Sequence, residues 1–293
     1  MTISPKMAYR KRFAEVLGKQ MAYVEVGTGD PIVFFHGNIT SSYMWRNVIP
    51  HVAGLGRCIA IDNIGQGDSD KLDGSMYRLA DHQRYVDQLL TALDVEDNFT
   101  IVMHDWGAQL GLSWAGERQG KLNGIVMCQG VIGNFAWDHW PPEVQQLFAR
   151  FRSDEGEELV LQQNHFVEKV LPAMVIRDLP DEVHNEYRRP FRTPGEDRRT
   201  TLTWPREIPI EGEPADVLEV IEANNAWVAA SPVPKLFINT DPGAVLVGEH
   251  RDMVRSWPNV TEVTVAGLHY CHEDSPHAMG EAIAAWHQNN PIT

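Results

Sequence analysis

The sequence predicts an α/β fold, in which an eight-stranded, mostly parallel sheet carries helices on both faces and a helical cap is inserted late in the chain. Short runs of β-branched and apolar residues, typical of buried strands, alternate with segments that have the apolar spacing of helices. This alternation stops at about residue 131 and resumes at Lys235. Because open α/β sheets bind ligands at the carboxyl ends of their strands, we expect the interrupting segment to cover such a site.

Eight apolar runs are predicted as strands, and the first two, split at Gly18, are expected to form an antiparallel hairpin. In chain order the runs are 13–17, 21–26, 32–35, 58–62, a run from 99 to the turn near 105, 124–129, 235–240 and 261–265. Helices are predicted over 43–52, 79–93, 142–152, 157–170, 181–191, 215–230 and 276–288, with one more after Gly107. We therefore predict a core domain from residues 1–130 and 211–293, and a cap domain from residues 131–210.

Composition and charge exclude several classes of partner. The 293 residues carry a formal net charge of −15, from 40 acidic and 25 basic side chains. An acidic surface repels nucleic acid and anionic membranes, so neither is expected as a partner. The three cysteines, Cys58, Cys128 and Cys271, fit no metal-ligand spacing and are expected to be reduced thiols. With no apolar segment behind the basic N-terminal residues, we expect a cytoplasmic protein.

The stretch around Asp105 carries the first sign of chemistry. A predicted strand beginning at Phe99 runs into Asp105, and residues at helical spacing follow Gly107. This is the pattern of a nucleophile elbow, a sharp turn from strand to helix. An ionised carboxylate at the turn needs no base to act as a nucleophile, and it forms an ester with the carbon that it attacks. The alternative is that Asp105 only caps the following helix.

Three further residues are expected near Asp105. His269 follows the last predicted strand, at the sheet edge that the elbow faces, and can act as a general base that activates water against an ester. Asn38, in the loop after strand 32–35, and Trp106 both offer neutral N–H donors. Such donors beside an aspartate nucleophile suit a soft, spherical leaving anion such as halide. The alternatives are that Trp106 packs in the core and that Asn38 caps a helix.

These motifs resemble those of the haloalkane dehalogenases of the α/β-hydrolase superfamily, and the similarity covers nearly the whole chain. The matching segments are His36 to Asn38, Gly65 to Lys71, His104 to Gly107, Arg199 to Pro209, Gly267 to His269, and Glu273 to Pro276. The resemblance implies Asp105 as the nucleophile and His269 as the base. It implies Asn38 and Trp106 as the halide-stabilising pair. It also implies the α/β-hydrolase fold, an uncharged haloalkane, water and halide as partners, and no metal or organic cofactor.

The resemblance further implies an apolar pocket lined from the cap, which suits an uncharged haloalkane. By matching to the family, its lining residues are Trp140, Phe148, Phe166, Met174, Pro205 and Val245. The alternative for each of them is ordinary core packing. Whether the protein is a monomer or a homodimer, and which haloalkane it prefers, stay open.

One position departs from the family pattern. The chain looks closest to the subgroup of this family that has asparagine as the second halide donor. Where that subgroup has a glutamate that orients the histidine and balances its charge, the chain has Gln129. In one interpretation Gln129 accepts the N–H of His269 as a neutral partner, and hydrolysis of the alkyl-enzyme is slowed. In the other, Asp241, just after a predicted strand, serves as a backup acid; its alternative role is that of a turn residue. Replacing the charged partner in a serine-protease triad lowered kcat by about 10⁴.

We predict hydrolytic dehalogenation through an ester on Asp105, with alcohol, halide and a proton as products. Three other functions are considered. Epoxide hydrolases share the aspartate elbow but usually have proline two residues after His-Gly and several cap tyrosines, whereas this chain has Ile39 there and only Tyr187 in the cap. Renilla-type luciferases, cofactor-free oxygenases, carry the same four site positions and are not excluded by the motifs. The hypothesis that the chain is a ligand-binding homologue with impaired turnover is supported by Gln129 alone.

Overall fold

Eight strands form one sheet in the structure, a computed structural model that describes residues 2–73 and 77–290. The strands are β1 (Lys11–Val16), β2 (Lys19–Val26), β3 (Pro31–Phe35), β4 (Arg57–Ile61), β5 (Phe99–His104), β6 (Leu122–Cys128), β7 (Lys235–Pro242) and β8 (Val260–Gly267). Their order across the sheet is β1-β2-β4-β3-β5-β6-β7-β8. β2 pairs antiparallel with β1 and β4, and the other pairs are parallel. The predicted eight-stranded, mostly parallel sheet is confirmed.

Helices connect most of these strands. The α-helices are α1 (Ile49–Val52), α2 (Leu79–Ala92), α3 (Gly107–Gly116), α4 (Pro142–Arg152), α5 (Leu171–Ala173), α6 (Asp181–Arg188), α7 (Arg199–Glu207), α8 (Ala215–Ala230), α9 (Gly248–Ser256), α10 (Cys271–Asp274) and α11 (Pro276–Asn289). Short 3₁₀ helices span Ser42–Asn47, Gln119–Lys121, Trp137–His139, Arg189–Phe191 and Glu196–Arg198. In the described part of the chain, no helix is long and apolar enough to cross a membrane.

Two predicted helices are interrupted in the structure. Instead of one helix over 43–52, a 3₁₀ helix is followed by the short α1, with Pro50 in its first turn. A proline lacks the N–H that would continue the preceding helix. Instead of one helix over 157–170, two π-helical turns span Glu157–Gln162 and Phe166–Val170. Between them Asn164 has a φ of 54°, in the left-handed region that breaks a right-handed helix.

Two apolar layers cover the two faces of the sheet. Alternate side chains of a strand point to opposite faces, so Phe35 and Met103 belong to one layer, whereas Phe34 and Val102 belong to the other. The strands are therefore buried on both sides, as expected for a parallel sheet between helices. The carboxyl ends of the parallel strands share one edge of the sheet, where the candidate site lies.

The segment between β6 and β7 carries α4 to α8 and, over residues 129–234, all of which the structure describes, no strand. Ion pairs join this segment to the rest of the molecule. Arg189 pairs with Asp68 at 2.5 Å, and Glu207 pairs with Arg78 at 2.8 Å. A separate apolar cluster in this segment also contains Tyr43 from the first half of the chain. The division into a core domain and a cap domain stays a prediction.

Candidate active site

Asp105 stands at the sharp turn between β5 and α3, and it is buried with a φ of 55°. A left-handed backbone at a residue with a Cβ is uncommon and clusters at functional sites. Gly107 permits the turn, because a Cβ there would lie 2.4 Å from the backbone oxygen of Phe35. Gly37 permits the approach of the loop after β3, because its Cβ would lie 2.5 Å from the Cβ of Asp105. These close approaches hold the carboxylate at the turn.

The Asp105 carboxylate has two close polar neighbours. The backbone N–H of Trp106 donates to Oδ1 at 2.7 Å, and Nε2 of His269 lies 3.4 Å from Oδ2. Burial acts to raise the pKa of Asp105, but the hydrogen bond and charge of His269, with smaller effects of His104 and Trp106, lower it below its usual value. Asp105 therefore stays ionised, which is the form that a nucleophile needs.

Asn38 lines the same cavity as Asp105 and has a defined amide orientation. Its Oδ1 accepts a hydrogen bond from the backbone N–H of Ile39 at 2.9 Å. Its Nδ2 donates to the carbonyl of Thr201, in α7, at 3.2 Å. An amide nitrogen carries two protons, so this arrangement turns a donor rather than an acceptor towards the cavity.

Trp106 lies on the other side of the turn, is 1% exposed and also lines the cavity. Its indole stacks on that of Trp204, with ring centroids 4.9 Å apart and the planes 26° from parallel. The structure thus brings Asp105, Asn38, Trp106 and His269 together around one cavity.

This cavity has a volume of about 420 Å³ and is mostly apolar. All six residues predicted from the family resemblance line it: Trp140, Phe148, Phe166, Met174, Pro205 and Val245. The sequence analysis missed several others: Val131, Phe135, Pro141, Val144, Val170, Ala173, Ile208, Leu268 and Tyr270. In a sequence, these apolar residues look the same as residues of an ordinary core.

Hydrogen bonds fix the loop of His269 on both sides. Nε2 of His104, the residue before the nucleophile, donates to the carbonyl of His269 at 2.8 Å, because a carbonyl oxygen only accepts. Burial lowers the pKa of His104 to about 3, so this ring is neutral. The backbone N–H of Tyr270 donates to the carbonyl of Met174 at 3.1 Å. His269 is therefore held between the elbow and the segment that contains Met174.

The structure gives no support to the prediction that Gln129 accepts the N–H of His269. The only acceptor of its carboxamide, Oε1, already takes the backbone N–H groups of residues 244–246, at 3.0, 2.8 and 3.4 Å. Its Nε2 donates to Oγ1 of Thr240 at 2.5 Å. Among the residues that the structure describes, Nδ1 of the buried His269 has no hydrogen-bond partner. Thr240 was not anticipated, because nothing in the sequence marks it.

The structure gives no support to Asp241 as a backup acid either. Its side chain is exposed at the end of β7, whereas His269 is buried. Over the described residues, no hydrogen bond joins the two side chains. Pro242 and Gly243, with a φ of 74°, follow Asp241, and this is the setting of a turn.

The three cysteines are buried and form no disulfide. Cys58, Cys128 and Cys271 are free and buried, and the Sγ atoms of the last two are 3.0 Å apart. Across residues 2–73 and 77–290, no group of three or more histidine, cysteine, aspartate or glutamate side chains is placed to hold a metal ion.

The elbow, the sheet order and the helical segment above them define a class of protein. Residues 30–276 match the family model described as the alpha/beta hydrolase fold. The predicted fold class is therefore confirmed.

Proteins with similar sequences and structures identify the family within this fold class. The chain is 50% identical over 289 residues to a haloalkane dehalogenase from Sphingobium indicum, an alignment that covers 98% of each chain. It resembles the crystal structure of a haloalkane dehalogenase from Bradyrhizobium elkani with a TM-score of 0.90 and 38% identity, over 94% of this chain and 97% of that one. A coelenterazine h 2-monooxygenase from Renilla reniformis is 40% identical over 262 residues, or 87% of this chain and 82% of the relative. The chain belongs to the haloalkane dehalogenase family, as predicted.

Proposed function

We propose that this chain hydrolyses the carbon–halogen bond of uncharged haloalkanes in two half-reactions at Asp105. In the first, a carboxylate oxygen attacks the carbon in line with the halogen, a C–O bond forms, and the electron pair of the broken bond leaves with the halide. The N–H groups of Asn38 and the Trp106 indole stabilise the departing anion. Supporting this assignment, both side chains line the cavity beside a buried, ionised carboxylate.

In the second half-reaction, His269 removes a proton from water, and the resulting hydroxide attacks the carbonyl carbon of the ester. The bond to the alkoxy oxygen breaks, and this oxygen takes the proton held by His269 and leaves as the alcohol. The new carboxyl group of Asp105 releases the remaining proton, which regenerates the carboxylate. The backbone N–H of Trp106, 2.7 Å from Oδ1, is suited to stabilise negative charge on that oxygen. The products are alcohol, halide and a proton, and no metal or organic cofactor takes part.

The observation that carries the proposal is the approach of His269 Nε2 to Asp105 Oδ2, 3.4 Å, inside an apolar cavity of about 420 Å³. A cavity of this size and lining suits a small uncharged molecule. Among the described residues, however, Nδ1 of His269 has no hydrogen-bond partner, and in the alkyl-enzyme the carboxylate of Asp105 is esterified. We therefore infer that hydrolysis of the alkyl-enzyme is the slower half-reaction.

Epoxide hydrolysis with a tyrosine of the cap segment is disfavoured by the position of Tyr187, although Tyr270, outside residues 131–210, lines the cavity. This reaction would need a tyrosine hydroxyl that donates to the epoxide oxygen, and Tyr187 is the only tyrosine between residues 131 and 210. Its hydroxyl donates to Oε1 of Glu273 at 2.5 Å, and the residue is not among those that line the cavity. Light emission with coelenterazine h, suggested by the name of the Renilla relative, is the second activity to measure.

The test is halide release from a panel of chlorinated and brominated alkanes, together with the intact mass of the enzyme during turnover. The unmodified chain should release halide and carry one alkyl adduct, located on Asp105. Asp105→Ala should lose both, with a rate at least about 10⁴-fold lower. Asp241→Asn serves as the control for loss of a carboxylate elsewhere. Halide release by Asp105→Ala at the normal rate would contradict the proposed function.

A further inference from the structure

Helix α7 contains Pro205 in its interior. A proline has no N–H, so the carbonyl four residues earlier, that of Thr201, lacks the donor that a helix normally supplies. Buried carbonyls without a partner are unfavourable and are usually satisfied by another group. Here the partner is Nδ2 of Asn38, at 3.2 Å. The missing N–H of Pro205 therefore provides the acceptor to which Asn38 is bound.

This bond decides which end of the Asn38 amide faces the cavity. The amide oxygen is bound by the N–H of Ile39, and the nitrogen is bound by the Thr201 carbonyl. Rotating the amide by half a turn would place a donor against a donor and an acceptor against an acceptor. It would also turn the oxygen towards a departing anion, which would repel it.

The residue before the proline holds the second halide donor. Trp204 is fully buried and stacks on Trp106, with centroids 4.9 Å apart. Trp204 also stacks on His82, which is fully buried, with centroids 4.3 Å apart and an angle of 23° between the planes. Burial lowers the pKa of His82 to about 3, so the stack carries no charge. Trp204 thus stacks on both the Trp106 indole and the neutral ring of His82.

Helix α7 is itself anchored at its carboxyl end. The guanidinium of Arg152, from α4, donates to three carbonyls within residues 205–208, at distances of 2.8 to 3.1 Å. The carboxylate of Glu207 accepts from Nε of Arg78 at 2.8 Å and from the backbone N–H of Leu79 at 3.0 Å. The helix is therefore bound both to its neighbour in the same segment and to the start of α2.

We propose that α7 positions both halide donors: Pro205 acts through the Thr201 carbonyl on Asn38, and Trp204 acts by stacking on Trp106. The proposal rests on the dehalogenase function proposed above. Pro205 and Trp204 are positioning residues here, since they act on the leaving halide through other side chains. Pro205 has this role in addition to its place in the lining of the cavity.

The first variant is Pro205→Ala, which keeps a small apolar side chain and restores an N–H that competes with Asn38 for the Thr201 carbonyl. The rate of the first halide release should fall about threefold to tenfold, the value of one neutral hydrogen bond. The fall should be larger for chloroalkanes than for bromoalkanes, because chloride is the poorer leaving group. Hydrolysis of the preformed alkyl-enzyme, which does not involve the halide, should keep its rate.

Pro142→Ala is the matched control. Pro142 is an exposed residue at the first position of α4, where an N–H has no helical acceptor and none is lost. This variant should release chloride and bromide at the unmodified rates. If Pro205→Ala behaves like Pro142→Ala with both halogens, the role of Pro205 is overturned.

The second pair of variants tests the stack. Trp204→Phe keeps an aromatic ring against Trp106, whereas Trp204→Leu removes it. An aromatic pair changes an equilibrium constant by a factor of about 2 to 10. We therefore expect Trp204→Leu to raise the bromide dissociation constant by about that factor. Trp204→Phe should raise it by less than half as much. Equal bromide dissociation constants for the two variants would overturn the role of Trp204.

Bromide binding, followed by the side-chain NH₂ resonances of Asn38 and the indole N–H resonance of Trp106, does not require turnover. It therefore separates the two proposals. If the unmodified chain releases no halide from any haloalkane, the proposed function fails, while weaker bromide binding in Pro205→Ala and Trp204→Leu still supports positioning by α7. If halide is released normally by every variant and bromide binding is unchanged, only the positioning role fails.

Discussion

The two sides of the candidate site differ in how well their polar groups are anchored. On the donor side, the Asn38 amide is bound at both ends, and the Trp106 indole is supported by Trp204. On the base side, Nδ1 of His269 is buried without a partner among the described residues, and Gln129 is bound elsewhere. The groups proposed to stabilise the leaving halide are therefore well anchored, whereas within residues 2–73 and 77–290 no partner binds Nδ1 of the proposed base.

The difference matters because the two half-reactions move charge differently. Attack by Asp105 transfers negative charge from a carboxylate to a halide, and both are met by N–H donors. Activation of water by His269 creates a new positive charge in a buried place, where an unpaired charge is costly. We therefore expect the alkyl-enzyme to form faster than it is hydrolysed, and to accumulate.

The largest change is expected from Gln129→Glu. A glutamate keeps an oxygen for the N–H groups of residues 244–246, and its second oxygen supplies the negative charge that His269 lacks. The rate of alkyl-enzyme hydrolysis should rise about 100-fold. This is less than the factor of about 10⁴ by which kcat fell when the charged partner of a serine-protease triad was replaced. The halide burst rate should stay the same. Rapid-mixing measurements of halide and of the adduct mass separate the two rates.

Gln119→Glu makes the same chemical change at an exposed position and is the control. It should alter neither rate. An unchanged ratio of burst to steady-state rate in Gln129→Glu would mean that His269 needs no charged partner. The proposed difference between the donor side and the base side would then be wrong.

A smaller effect is expected from three buried, neutral histidines. Burial lowers the pKa of His36 to about 4 and that of His82 and His104 to about 3. Unfolded histidines have a pKa of about 6.5, so their contribution to stability is present above that pH and is lost as the pH falls towards the folded values. The unfolded chain then binds more protons than the folded chain, and acid favours unfolding.

His82→Phe keeps a ring on Trp204 but removes one such proton. Below about pH 6, the free energy of unfolding should fall less steeply with decreasing pH in this variant than in the unmodified chain. The two slopes should differ by about 1.4 kcal/mol per pH unit, which is tenfold in the unfolding equilibrium. Denaturant titrations at several pH values measure this slope. The same slope for the variant and the unmodified chain would show that His82 is already charged in the folded protein.

The smallest effect is expected from Asp241→Asn. Because this carboxylate is exposed and not joined to His269, both half-reactions should change by less than about twofold. Steady-state halide release measures the outcome. A large loss specific to ester hydrolysis would restore Asp241 as the charged partner and would remove the difference between the two sides.

Regular elements were predicted well where the local pattern is strong. The strand run 32–35 and the helix 142–152 agree with β3 and α4 to within one residue, because buried apolar runs and amphipathic spacing are local properties. The predicted helix 157–170 was wrong in its middle. The residue pattern does not mark Asn164, where a φ of 54° interrupts the helix.

The residues of the candidate site could be predicted from the sequence, but their hydrogen-bond partners could not. The sequence alone identified the elbow at Asp105 and the positions of His269, Asn38 and Trp106, because these depend on residue type and on the order of strands. Only the tertiary structure decided what each of these side chains is bound to. Gln129 is bound to Thr240 and to a loop more than 100 residues later, and Asn38 to a carbonyl that a distant proline leaves free. Apart from the Thr240 hydroxyl, the partners in these contacts are backbone N–H and carbonyl groups, so residue identities reveal little about them.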